Sequence, residues 1–419
     1  MTSDTPPPAR LRRSEILPLL GWLFCSLFFF YAFVLRVAPA VMVEELMRDF
    51  QVGGAVLGSL SAIYFYAYAG IQIPVGVMLD RYGVRLTASI AAVVCAGGTL
   101  LFAMATDLNG AYIGRAMIGA GAAFSFVGAM FVAGHWFPAR FSVLTGISQA
   151  LGVAGGIAGQ APLGLAVEAY GWRTSTIFIA AAGLVLAAGL ALTLRDKPRG
   201  ASDDDDRPSL LKGLVFTMGR SRTWIAAGVG GSMTAAMLSF AGLWGVPFLI
   251  TIRGLEKPEA AGILSIMFVG WAIGAPALGW LSDRFGRRKP LIVACSSLAA
   301  ISMLGIVVLP TAPLWWLAVM LFLQGFGSSS IVLCFAVARQ GCPAWAAGAT
   351  IGIVNTFVVG SGAVLQPVMG WLLDLNWDGV MVDGARIYSE SAYAVVMPIL
   401  PATCALGLAL SLALREEQA

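Results

Sequence analysis

The chain has 419 residues, of which 58% are hydrophobic and only 11% charged. A soluble domain carries about 25% charged residues and about 45–50% apolar ones, so the apolar surplus has to face lipid. The net charge of +4 is too small to argue for nucleic acid, and the six cysteines (Cys25, Cys95, Cys295, Cys334, Cys342 and Cys404) form no C-x-x-C pair or His/Cys cluster, which sets aside a zinc site and a disulfide framework.

A helix needs about 20 apolar residues to cross a bilayer. Arg10, Arg12 and Arg13 precede the first apolar run. Ile16 to Val34 is too long for a signal-peptide core of about 7–15 residues, so it reads as an uncleaved first helix over 16–43. Spans then follow at 54–75, 86–105, 110–134, 142–167 and 174–194. Residues 195–221 are polar, with Pro198, Gly200, Pro208 and the run Asp203 to Asp206, and read as a solvated linker. Six further spans are expected at 222–250, 259–281, 290–310, 314–338, 346–373 and 391–414. The runs are continuous rather than alternating, which argues for helices and against a β-barrel. The fold expected is an all-α membrane protein, with bundles over 1–194 and 222–419.

Lysine and arginine set the orientation of such a chain. Of the 26, nineteen fall on the side of the N-terminus and five on the opposite side: Arg48, Arg173, Arg253, Lys257 and Arg386. Both termini are therefore expected in the cytoplasm. The remaining two, Arg36 and Arg115, lie inside spans.

The halves share a signature. G-V-M-L-D-R-Y-G-V-R (Gly76 to Arg85) follows the second span, and G-W-L-S-D-R-F-G-R-R (Gly279 to Arg288) follows the eighth. Gly76, Asp80, Arg81 and Gly83 match Gly279, Asp283, Arg284 and Gly286 at a constant offset, as duplicated units would. Gly76 and Gly279 are expected to let helices approach closely. Asp80 and Asp283 stand where a carboxylate can meet a neighbouring helix N-terminus, and Arg85 and Arg287 can bind carbonyl or acidic partners. Together these residues read as a conformational gate.

On these loops the sequence resembles the major facilitator superfamily over nearly its whole length. Arg115-x-x-x-Gly119-x-Gly121 looks like the family's second motif. Gly152-x-x-x-Gly156-x-x-Gly159-x-x-Pro162-x-Gly164 is a looser form of the glycine-proline motif of antiporters, and it departs from that pattern at Gln160 and Ala161. The resemblance implies two pseudo-symmetric six-helix bundles that rock about a central cavity lined by helices one, four, seven and ten. The stretch from Phe30 to Arg85 is also similar to bacterial relatives of the lysosomal dipeptide transporter family.

Charges inside a membrane are costly and usually face a cavity. Arg36 and Arg115 stand at matching depth, roughly 8–10 Å from the same boundary at 1.5 Å per residue. Two guanidinium forks there could grip a carboxylate. Alternatively, Arg115 could tie helices together, and Arg36 could snorkel outward. Ser61, Tyr64, Tyr68 and Gln72 share one helical face, as cavity wall or as packing. In the second half Trp244, Gln324, Ser328, Ser329, Asn355 and Gln366 are the polar and aromatic candidates, each able to serve instead as interhelical glue. The middle of every span lacks Asp and Glu, and Glu44 and Glu45 lie at an end. A carrier for a small organic anion or zwitterion, such as a carboxylate or dipeptide, is the leading expectation. A proton-coupled multidrug antiporter is the alternative. The expected partners are a small-molecule substrate and the lipid bilayer of a bacterial inner membrane, for a monomer with no enzymatic activity, cofactor or metal. No nucleotide loop or nucleophile set points to catalysis.

Overall fold

The computed structural model describes residues 13–196 and 210–414. Twelve of its helices are long and apolar enough to cross a membrane. Helices 1–6 are Ile16–Val41, Gly54–Gln72 (helical on to Tyr82), Val84–Met104, Leu108–Trp136, Val143–Tyr170 and Trp172–Thr193. Helices 7–12 are Ser221–Arg253, Lys257–Phe285, Lys289–Val308, Leu314–Arg339, Ala347–Leu375 and Glu390–Ala413. Each coincides with one expected span. The structure adds a short helix, Val43–Phe50, and a two-stranded hairpin pairing Met381–Val382 with Ala385–Arg386. The run Asp203 to Asp206 lies outside the described residues. Within the expected linker, Leu210–Met218 is helical. Thr217 and Thr350 share a hydroxyl hydrogen bond of 3.1 Å, which ties this piece to helix 11.

The two bundles repeat one packing plan. Helix 4 packs on helices 2 and 3, and helix 10 packs on helices 8 and 9. Helix 1 packs on helices 5 and 6, as helix 7 does on helices 11 and 12. Glycines set the closest crossings. A Cβ at Gly119 would strike the Tyr64 carbonyl of helix 2, and one at Gly121 the Ala91 carbonyl of helix 3. In the second bundle Gly325 and Gly327 meet the Met267 and Cys295 carbonyls of helices 8 and 9 in the same way. Between bundles, helix 2 faces helix 11 and helix 5 faces helix 8.

The repeated loops lie at one face of the molecule. Gly83 ends helix 2 at φ +82°, and Gly286 ends helix 8 at φ +63°, backbone shapes that glycine adopts without strain. That accounts for this pair. Gly76 and Gly279 depart from expectation, because nothing lies within 4 Å of a Cβ added at either. Among the described residues, no helix is seated on these glycines. The Arg85 amide donates to Asp196 (3.2 Å) and its Nε to the Ala191 carbonyl (2.9 Å), both past or near the end of helix 6. Lys289 donates to the Leu412 carbonyl of helix 12 (2.8 Å). Each loop is thus tied to the last helix of its own bundle. Asp80 falls in the last turn of helix 2, while Arg81, Asp283, Arg284 and Arg287 are exposed.

Candidate functional site

Helix 1 changes to a 3-10 turn at Ala38–Val41, where Pro39 interrupts the α ladder. Arg36 is in the last α-helical turn before that change and is 7% exposed. Its guanidinium carbon lies 4.2 Å from the centre of the Phe33 ring, 5.3 Å from Tyr68 and 5.7 Å from Tyr64. Rings at that range attract a cation. Its Nε has no hydrogen-bond partner. Among the described residues, no carboxylate pairs with Arg36; the ion pairs there join Arg48 and Arg173 to Asp49, Lys257 to Glu45, and Arg386 to Asp374. Arg36 does not snorkel; it stays inside as a buried cation beside aromatic rings and the hydroxyls of Tyr64 and Tyr68.

Arg115 is placed differently. It is 2% exposed and donates to three carbonyls: Leu35 at 2.8 Å, Ser61 at 3.2 Å and Leu60 at 3.4 Å. It ties helix 4 to helices 1 and 2, the structural alternative weighed for it. Tyr64 lies between the two arginines, 5.2 Å from the Arg115 guanidinium carbon, and donates to the Ala32 carbonyl at 3.3 Å. Tyr64 and Tyr68 stack at 6.1 Å. Gln72, half-buried, follows on the same face with an unpartnered carbonyl oxygen. The expected polar face of helix 2 therefore meets Arg36.

The second-half candidates divide. Trp244 is fully buried and donates to the Gln366 backbone carbonyl at 3.0 Å. Gln366 in turn donates to the Leu238 carbonyl at 3.0 Å. Gln324, also fully buried, donates to Ser328, which donates to the Met233 carbonyl. These residues join helices 7, 10 and 11: the Trp244 indole is taken up by helix 11, whereas Gln324 donates to Ser328 within helix 10 and keeps a buried carbonyl oxygen without a partner. Asn355 is half-buried on helix 11, near Gly352 and Gly360, where an added Cβ would meet open space.

Two features escaped the sequence reading. Phe33, one turn before Arg36, is the ring closest to the guanidinium; its spacing was the available signal. The other is a pair of facing helix interruptions. Helix 5 breaks at Gly159–Gln160, and helix 7 contains a π turn at Phe240–Trp244. Such turns are rare and often functional. Gln160 Nε2 donates to the Ala241 carbonyl of that turn at 2.6 Å, across the two bundles. Val34 and Val37, flanking Arg36, pack on Gly159. Three helix irregularities thus converge beside Arg36. Beyond that level the bundles are joined by Asp374, which accepts from the Gly54 and Ala55 amides, and by the Lys257–Glu45 pair.

Comparison with known proteins agrees with this architecture. A bacterial homologue of the human lysosomal transporter Spinster, solved inward-facing and unoccupied, superposes with a TM-score of 0.79 at 19% identity, over 96% of this chain and 99% of that one. A candidate tartrate transporter of Agrobacterium vitis is 26% identical over 67% of this chain and 70% of its own. The hexuronate transporter of Bacillus subtilis is 25% identical over 67% of this chain and 72% of its own. The family model of the Major Facilitator Superfamily matches residues 23–367. With its twelve helices, paired bundles and matched loops, this chain is an integral membrane protein belonging to the Major Facilitator Superfamily of transporters.

Proposed function

We propose that the protein is a secondary transporter for a small organic anion of the sugar-acid or short dicarboxylate class, working by alternating access in a bacterial inner membrane. The observation that carries this reading is Arg36: a buried guanidinium against aromatic rings and tyrosine hydroxyls, with no carboxylate partner among the described residues and an unused Nε. An uncompensated charge there is costly. A planar carboxylate from the substrate would satisfy it, because the guanidinium fork matches that shape. The names of relatives, tartrate and hexuronate among them, support the same class, ahead of a dipeptide. A cationic drug would meet Arg36 as a like charge, so the multidrug alternative has no support at this site.

Orientation follows from charge. The face with the repeated loops carries most of the lysines and arginines, and we read it as cytoplasmic, with both termini on that side. On that orientation the contacts that Asp374 and Lys257 make between the bundles lie on the outer side, and we read the state as closed outward. The test is a thermal-shift screen of the purified protein against tartrate, hexuronates and glucarate, with their methyl esters in parallel. Free acids are expected to stabilise and esters not. Equal stabilisation by esters, or by cationic drugs alone, overturns the reading.

A further inference from the structure

We infer that Asp374 is the gating residue of the outer face, and that its carboxylate has to leave helix 2 before the cavity opens outward. This rests on the orientation proposed above. Helix 2 begins at Gly54 with no side-chain cap from its own segment, so its first amides need partners from elsewhere. Asp374, in the last turn of helix 11 and therefore in the other bundle, supplies them. Its Oδ1 accepts from the Gly54 amide and its Oδ2 from the Ala55 amide, both at 2.9 Å. Oδ1 also accepts from the Tyr388 hydroxyl at 2.6 Å and from Arg386 at 3.1 Å. The Gly54 amide lies 2.8 Å from the Tyr388 oxygen as well. One carboxylate thus gathers donors from helix 2 and from the segment after the outer hairpin.

The backbone is shaped for this contact. A Cβ at Gly370 would strike the Gly54 carbonyl, one at Gly54 would lie 2.7 Å from the Tyr388 oxygen, and one at Gly58 would lie 2.6 Å from Pro367. Helices 2 and 11 meet here without side chains between them. Burial, with the Asp374 carboxylate beside it, holds the Tyr388 phenol above its ordinary range, so the phenol keeps its proton and remains a donor. A second strap crosses nearby, where Lys257 of helix 8 pairs with Glu45 of the short helix after helix 1. Opening outward has to exchange all of these contacts for water, and an anion at a helix N-terminus with charged hydrogen bonds is the strongest of them.

Hydrogen exchange by mass spectrometry on the full-length protein in nanodiscs tests this without substrate, so it can fail independently of the proposed substrate class. In Asp374→Ala, peptides spanning Gly53–Leu60, Ala38–Glu45 and Phe248–Ala260 are expected to exchange together, on the order of tenfold to a hundredfold faster. Acceleration confined to Gly54 and Ala55 would show a plain helix cap and overturn the gate, as would no change. If Asp374→Ala does not yield a monodisperse protein, Asp374→Asn is used, with the same three segments expected to accelerate. Tyr388→Phe, which keeps both amide contacts, should fall between wild type and the Asp374 variants. In proteoliposomes Asp374→Asn should lower the external KM along with the maximal rate. An unchanged KM would overturn the proposal. Labelling Asp378→Cys with an impermeant thiol reagent checks the orientation separately.

Discussion

Arg36 and Arg115 carry the same charge on either side of Tyr64, but Arg115 spends its guanidinium on three carbonyls, whereas the duty proposed for Arg36 is the substrate. Arg36→Lys keeps the charge and loses the planar fork, so binding of a carboxylate should weaken. Arg36→Gln should weaken it further, by roughly 1.5–3 kcal/mol, with little change in the melting temperature of the empty protein. Arg115→Lys should do the reverse, because it strands buried carbonyls of Leu35, Leu60 and Ser61 at roughly 1–3 kcal/mol for each one left bare. Calorimetric titration beside thermal unfolding separates the two, and equal profiles would refute the division. Glu44 allows a prediction in pH. Burial, chiefly, raises its pKa, with Glu45 adding to the rise and Lys257 and Arg48 opposing it. The folded chain then holds a proton that the unfolded chain has lost, so stability declines as pH rises from the ordinary glutamate pKa through the raised one. Glu44→Gln should flatten that decline in a series of melting curves across pH.

At the scale of elements, the twelve helices were legible because lipid demands long apolar runs, and sequence records those directly. Their interruptions were less so. Pro39 is a local cause of the irregularity that ends helix 1, but nothing in Phe240–Trp244 announces a π turn, which is selected by packing against Gln160 and Gln366 rather than by local preference. The glycine crossing of helix 10 was missed for a related reason. Leu321 stands where the first-half motif has Arg115, so Gly325-x-Gly327 lacks the charged residue that makes the motif conspicuous. Gly119→Ala and Gly325→Ala should therefore be comparably harmful, each forcing a methyl into a carbonyl of the facing helix, whereas Gly279→Ala should be tolerated in the folded resting state. Expression and melting temperature of the three variants decide this. Gln160→Ala should cost about 1–3 kcal/mol of stability by removing a fully buried donor from the Ala241 carbonyl.

For the whole molecule, the duplication was readable from two loops, while the site depends on which residues meet across bundles, and no spacing rule reaches that far. Arg36 was identifiable as a charge out of place; that the Trp244 indole is taken up by a carbonyl of helix 11 was not, because cavity wall and interhelical contact use the same residue types. The absence of carboxylates from mid-span bears on energetics. Uptake down the substrate's own gradient should persist in proteoliposomes after the proton gradient is collapsed, and its disappearance would refute the idea that coupling is dispensable.

The hairpin of residues 381–386 has a consequence for pharmacology. Its first strand is open to solvent, with Met381 and Val382, and Val380 just before them, about half exposed. Arg386, its last residue, and Tyr388 just beyond it grip Asp374. On the proposed orientation the hairpin is a handle on the outer face, joined directly to the contact between the bundles. An antibody fragment that clamps it in place would slow turnover without entering the cavity. It would act as a noncompetitive inhibitor whose effect no concentration of substrate could reverse.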